Sequence, residues 1–240
     1  MGSEKKPEWS YIDELPQHLV TNTHGFWMFD TPCTQQLWEA AGLRNESNFK
    51  GGLRPAENLS FEQAAEFVQL VNRQVAGLEL RLPTEAEWEY SCRAGTDSDR
   101  YGNLDEIAWY DKNCGGKTHE VKLKHANAWG LYDMLGNVWE WCLDGPRHYS
   151  AQPLVDPAGE ALLRRVVRGG SWDSSAGGVR GAIRDALDPG CWFVYLGFRC
   201  LSSPEPSPVQ GREAAMSESL RGGSPQDRER ELPPRGKKDK

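Results

Sequence analysis

NAWGLYDMLGNVWEWC, residues 127–142, carries two glycines, two acids and three tryptophans within one short stretch. Its glycines, Gly130 and Gly136, permit backbone that a β-carbon would block, so the first part reads as an irregular loop. Val138–Cys142 then reads as a short strand. Trp139 and Trp141 bracket Glu140 on it and are expected to divide, one facing the core and the other a second surface. Core packing is the expected main role of both rings.

The surroundings repeat this economy of regular structure. Downstream, RVVRGGSW (165–172) and LGFRC (196–200) suggest short strands at Val166–Arg168 and Gly197–Leu201. Upstream, RLPTEAEWEYSCRAG (81–95) opens a helix: Thr84 is the N-cap, Glu87 holds the capping-box position and Gly95 is a C-cap. A stronger helix is expected over Ser60–Val75, where Ser60 and Gln63 form a capping box. Its apolar face is Phe61, Ala64, Ala65, Val68, Leu70 and Val71. Cys33–Ala41, after a Thr-Pro turn, presents Leu37, Ala40 and Ala41 on one side. Beyond residue 96 periodicity is scarce, and Gly-, Asp- and Asn-rich loops separate the elements.

The expected architecture is therefore one α+β domain of low regular content, with short antiparallel strands and two or three helices, over residues 9–201. Residues 1–8 read as a flexible start. Residues 202–240, rich in Pro, Ser, Gly and charge, bury too little surface to offset ordering entropy and read as a disordered tail. At most a marginal helix fits near residues 212–220.

Composition narrows the function classes. The 240 residues suffice for one substantial core, and ten Trp imply an aromatic interior or a stacking surface. A net charge of −7 argues against nucleic-acid binding through a basic face. No apolar run is long enough to span a membrane. The start MGSEKKPEWS lacks the apolar core of a secretory signal, which points to a cytoplasmic location, and Lys6 spoils a myristoylation motif. Six scattered cysteines without a CxxC pair read as reduced and mostly buried. Five histidines form no HxxxH pair, and His119 and His125 read as exposed loop residues. Composition sets no oligomeric state.

Taken in order, the phrases at 81–95, 127–142, 165–172 and 196–200 resemble the formylglycine-generating-enzyme (sulfatase-modifying factor) family. The early FWMFDTPCTQQLWEA (26–40) and the helix at 60–75 extend the resemblance across the folded region. It implies a C-type lectin fold: a small twisted sheet, two helices and long irregular loops. It also implies a structural calcium site through the Asp133 and Glu140 side chains and the Gly136 and Val138 carbonyls. Independently, two carboxylates with turn carbonyls between them are hard oxygen ligands of the kind calcium prefers.

The resembled enzyme oxidises a substrate cysteine with copper held by two cysteines, three and eight residues past the Ser of RGGS. Those positions are Ser174 and Val179 here, and neither supplies a thiolate. The expectation is thus a chain that is not an enzyme and takes no copper. Between RGGSW (168–172) and LGFR (196–199), the pattern resembles the variable region of diversity-generating retroelement proteins. There, adenine-directed mutagenesis diversifies template codons such as AAC.

Ala176, Val179, Arg180, Ala182, Arg184 and Pro189 hold the framework places. The expected variable, ligand-facing positions are Asp173, Ser174, Ser175, Gly177, Gly178, Ile183, Asp185, Ala186, Leu187, Asp188, Gly190, Cys191, Trp192, Phe193, Val194 and Tyr195. Trp192 departs from AAC and needs a codon such as AGG or AAG. A charged tail also follows, where such regions usually end the protein. Trp192, Phe193 and Tyr195 are expected to be partly exposed, and Arg180 and Arg184 to brace the segment through carbonyls or carboxylates. The resemblance implies a non-catalytic ligand-binding scaffold for a protein or cell-surface ligand. The alternatives are a formylglycine-generating-type oxidoreductase, or an inactive scaffold in a signalling or defence assembly.

Overall fold

The computed structural model describes residues 1–4, 14–160 and 163–203. In chain order the elements are β1 (Val20–Thr21), β2 (Trp27–Met28), α1 (Gln35–Ala40), α2 (Phe61–Gln74), β3 (Leu80–Arg81), α3 (Glu85–Arg93) and α4 (Leu104–Ile107). There follow β4 (Trp139–Trp141), β5 (Leu154–Val155), β6 (Arg165–Arg168), β7 (Arg184–Leu187), β8 (Leu196–Gly197) and β9 (Leu201–Ser202). The main sheet runs β7-β6-β4-β8, a second runs β2-β9-β3, and β1 pairs with β5. The pairings are antiparallel as expected, except β1–β5 and β4–β8, which are parallel.

Local sequence sets the helix starts. Ser60 Oγ accepts from Gln63 N at 3.3 Å while Gln63 Oε1 accepts from Ser60 N at 2.8 Å. Thr84 and Glu87 make the same reciprocal pair at the head of α3. Each closed box satisfies two N–H groups that a helix start otherwise leaves bare. At the other end of α3 Ala94 is already left-handed, and the expected Gly95 follows it at φ +89. Helix α1 begins after Thr34, whose hydroxyl accepts from Leu37 N. The buried face of α2 is Phe61, Ala64 and Phe67, with Phe67 stacked on Trp38 at 5.7 Å and an interplanar angle of 4°.

The main sheet separates two cores. Trp139, Trp141 and Val167 face the cluster under α1 and α2, which also holds Phe67 and Phe198. Cys142 and Val166 face the cluster around Trp88 and Leu135. This corrects the expected split of the two tryptophans. Residues two apart on a strand share a face, and it is Glu140 between them that turns to the other side.

That other side holds a set of buried ion pairs. Glu85 receives Arg184 at 2.6 and 2.7 Å and lies 3.6 Å from Arg168. Glu89, one turn along α3, receives Arg168 and also Arg93 at 2.8 Å. Burial opposes ionisation of Glu89, but Arg168 and Arg93 outweigh it and hold the carboxyl below its ordinary value.

Asp144 is a nearby acid without such a cation. It accepts from the Glu85 N–H at 2.6 Å and the Gly159 N–H at 3.1 Å. Burial and then the Glu85 charge raise its carboxyl from 3.8 to about 7. A raised acid binds its proton more tightly in the folded state. Its contribution to stability is therefore complete below about pH 4 and lost as pH rises through about 7. The stability of the natural chain minus that of Asp144→Asn should accordingly be larger at pH 5 than at pH 8 in urea titrations, by about 1–3 kcal/mol. A pH-independent difference would contradict this.

The first residues are not loose. Gly2 N donates to Glu89 Oε1 at 2.8 Å, Ser3 N to Glu14 O at 2.9 Å and Met1 N to His18 O at 2.8 Å. The expected flexible start is corrected for residues 1–4, because the Glu89 carboxylate and the Glu14 and His18 carbonyls hold their backbone. Contacts divide the chain into Met1–Pro204 and Glu205–Lys240. The expected disordered tail lies, apart from Ser202 and Ser203, outside the described residues. Among the described residues, no helix is long and apolar enough to cross a membrane.

Candidate binding site

The segment after β6 leaves the sheet through Gly169 and Gly170. Gly170 has φ +72, and a β-carbon there would lie 2.4 Å from Gly178 O, so only glycine fits. A turn follows in which Ser171 N donates to Ser174 Oγ at 3.0 Å, and a single 3-10 turn spans Ala176–Gly178. Arg180 then ties the backbone down. Its Nε donates to Gly177 O at 2.7 Å and its guanidinium grips Glu14 at 2.7 and 2.8 Å. Arg184 likewise binds Glu85, and it reaches Arg147 O at 3.1 Å. Both framework arginines brace the segment through carboxylates and carbonyls, as expected.

Strand β7 sorts its side chains by parity: Arg184 and Ala186 are buried, Asp185 and Leu187 half-exposed. The outward pair meets the 171–175 turn across a cavity of about 380 Å³, lined by Trp139, Val167, Asp173, Ser174, Ser175, Asp185, Leu187 and Tyr195. Six of the expected ligand-facing residues are thus gathered around one cleft. Trp139 and Val167 form its apolar floor. Sequence reading missed both as site residues, although their place opposite β7 follows from the strand parity of β4 and β6.

Beyond β7 the chain turns at Asp188–Cys191, with Gly190 N and Cys191 N donating back to Asp188. Trp192 is 62% exposed. Phe193 and Tyr195 stack at 5.0 Å and are half-buried against the core, so all three rings expected to be partly exposed are so. Burial holds the Asp185 carboxyl above its ordinary value.

Three expected ligand-facing residues are turned inward. Ile183 is 0% and Ala186 3% exposed, both packed in the interior. Gly178 is buried against the Ser174 side chain. Ser174 borders the cleft, but its hydroxyl is engaged by Ser171 N. Gly177 lies in the 3-10 turn, and Asp188, Gly190, Cys191 and Val194 are not among the residues lining the cavity. His119 also differs from expectation. It is half-buried, stacked on Trp109 at 3.7 Å, with Nε2 2.7 Å from Cys114 O, whereas His125 is exposed as expected. Five cysteines are buried and Cys191 is half-exposed; none is bridged.

The four positions expected to hold calcium run from the loop at 133–138 into β4, and their donor set does not fit a cation there. Both Glu140 oxygens are engaged, by Arg199 at 2.8 Å twice and by Trp88 Nε1 at 2.7 Å. Asp133 accepts from Lys122 N at 3.0 Å and Asn137 Nδ2 at 3.3 Å. Calcium would have to displace a fully buried guanidinium, at large desolvation cost. Calcium or a chelator is therefore expected to leave the melting temperature unchanged, and a rise with calcium would contradict this. The copper positions fit no better. Val179 is an apolar core residue with no donor atom, and Ser174 offers only its engaged hydroxyl.

A mixed α+β fold of short strands and long braced loops carries the cleft between β7 and the 171–175 turn. The chain belongs to the sulfatase-modifying factor enzyme 1-like (FGE-sulfatase) family, whose model matches residues 1–204. The fold is that family's C-type lectin-like one. It is similar to the formylglycine-generating enzyme of Streptomyces coelicolor, 34% identical over 63% of this chain and 53% of that protein. It is also similar to serine/threonine-protein kinase pkn1 of Chlamydia pneumoniae, 43% identical over 78% of this chain and 34% of that protein. The chain thus spans about a third to a half of the length of these relatives. Among solved structures it resembles Treponema denticola variable protein 1, with a TM-score of 0.75 and 31% identity, covering 85% of this chain and 91% of that one.

Proposed function

We propose that the chain is a non-catalytic ligand-binding module whose outward side chains over 173–195 form a diversified surface for a protein ligand. The observation that carries this reading is the sorting of one segment into two sets. Arg180, Ala182, Ile183, Arg184 and Ala186 are buried, two of them in bidentate ion pairs. Asp173, Ser175, Asp185 and Leu187 stand outward around the cleft, and Trp192 is exposed further along the segment. A backbone held by the first set is pre-organised whatever the second set is, which lowers the ordering cost of binding for many side-chain choices. Likeness to a variable protein of the same fold supports the reading.

The likeness to formylglycine-generating enzymes supports the enzymatic alternative. Against it stand Ser174 and Val179, which replace the thiolates that the chemistry requires. The pkn1 likeness favours a second reading, a binding module carried inside a longer signalling protein.

Sequencing the gene's surroundings tests diversification. The expected result is a neighbouring reverse transcriptase and a near-copy of codons 168–199 that differs only at adenines. A locus without that repeat, and sibling genes invariant over 173–195, would sink it. The enzymatic alternative predicts stoichiometric copper uptake and oxidation of a Cys-containing peptide. Neither is expected.

A further inference from the structure

The geometry points to a cationic side chain, a guanidinium or ammonium group presented by a protein partner, as the occupant of the cleft between β7 and the 171–175 turn; this rests on the ligand-binding reading above. Two carboxylates face the cavity from different elements, Asp173 from the turn and Asp185 from β7. Each holds one local bond: Asp173 Oδ1 accepts from Ser171 Oγ at 2.6 Å, and Asp185 Oδ1 from Ala186 N at 2.7 Å. Among the described residues, no Lys, Arg or His lines the cavity. The cation that acts on Asp185 is the exposed Arg164, which lies outside the lining.

The remaining walls suit the rest of such a side chain. Trp139 and Tyr195 offer aromatic surface to a cation, and Leu187 and Val167 offer aliphatic surface to its methylene stem. The Ser175 hydroxyl is a further acceptor at the rim. A cavity of about 380 Å³ accommodates one long side chain and is far too small for a folded element. The net charge of −7 steers a basic partner toward this chain and repels an anionic one. An anion would meet two carboxylates and no counter-charge. An apolar side chain would strip water from Asp185 without replacing it.

The test uses the full chain, ¹⁵N-labelled, titrated with Nα-acetyl-arginine methylamide, its lysine counterpart and the neutral, near-isosteric citrulline compound. Saturable shifts at residues 173–175, 185–187 and 195 are expected with the two cations, weakened by added salt. Citrulline should bind at least roughly fivefold more weakly, and Asp173→Asn or Asp185→Asn should weaken arginine binding by about threefold to tenfold while the spectrum stays folded. Equal binding of citrulline and arginine, shifts mapping elsewhere, or no shifts at all would overturn the assignment.

Panning a random peptide library on the same chain separates the two levels of the claim. Binders lost with Trp192→Ala and Leu187→Ser but lacking any basic residue overturn the cation and keep the binding surface. Binders indifferent to these substitutions overturn the surface itself.

Discussion

Replacing Arg184 by Met is expected to cost about 3–5 kcal/mol of folding stability, read as a lower urea midpoint at unchanged slope. Arg184 is 1% exposed and holds both oxygens of Glu85, itself 0% exposed, together with the Arg147 carbonyl. Methionine fills much of the volume but leaves Glu85 with only the longer contact to Arg168, so the loss is that of a stranded buried charge rather than of packing. The double variant Arg184→Met, Glu85→Leu removes the stranded charge and should recover more than half of the deficit. If the single variant loses less than about 1 kcal/mol, the bracing role of the framework arginines is wrong.

Gly136→Ala is expected to abolish the cooperative transition or to cost more than about 3 kcal/mol. Gly136 has φ +75, and an added β-carbon would sit 2.2 Å from Trp109 O, a backbone atom that cannot rotate away. The loop that would have to yield feeds directly into β4 and the cleft floor. Gly130 supplies the control. Its φ is +79 but its β-carbon position is open, so Gly130→Ala should cost only the left-handed backbone preference, about 1–2 kcal/mol. Equal losses at the two positions would contradict the close-approach argument.

Helix starts were legible because their causes are local: Ser60 with Gln63 and Thr84 with Glu87 sit three residues apart. The two-residue strands β1, β2, β3 and β5 were not, because they exist only through partners distant in sequence. Strand β7 was hidden for a different reason. Its buried positions are Arg184 and Ala186 while an outward one is Leu187, so the period-two hydrophobic pattern is inverted by a buried ion pair. Ile183 and Ala186 satisfy codon reachability, yet both are buried. Codon reachability names what a position could become, and burial decides which positions can change. Arg199 was not anticipated beside Glu140, and its guanidinium supplies positive charge at one of the two carboxylates expected to hold calcium.

A saturation library over residues 171–199, displayed on cells and sorted for folded, protease-resistant chains, tests the division of labour most directly. The account predicts broad tolerance at Asp173, Ser175, Asp185, Leu187, Asp188 and Trp192, and depletion of nearly all replacements at Arg180, Ala182, Ile183, Arg184 and Ala186. Depletion as severe at the outward positions as at the inward ones would contradict it.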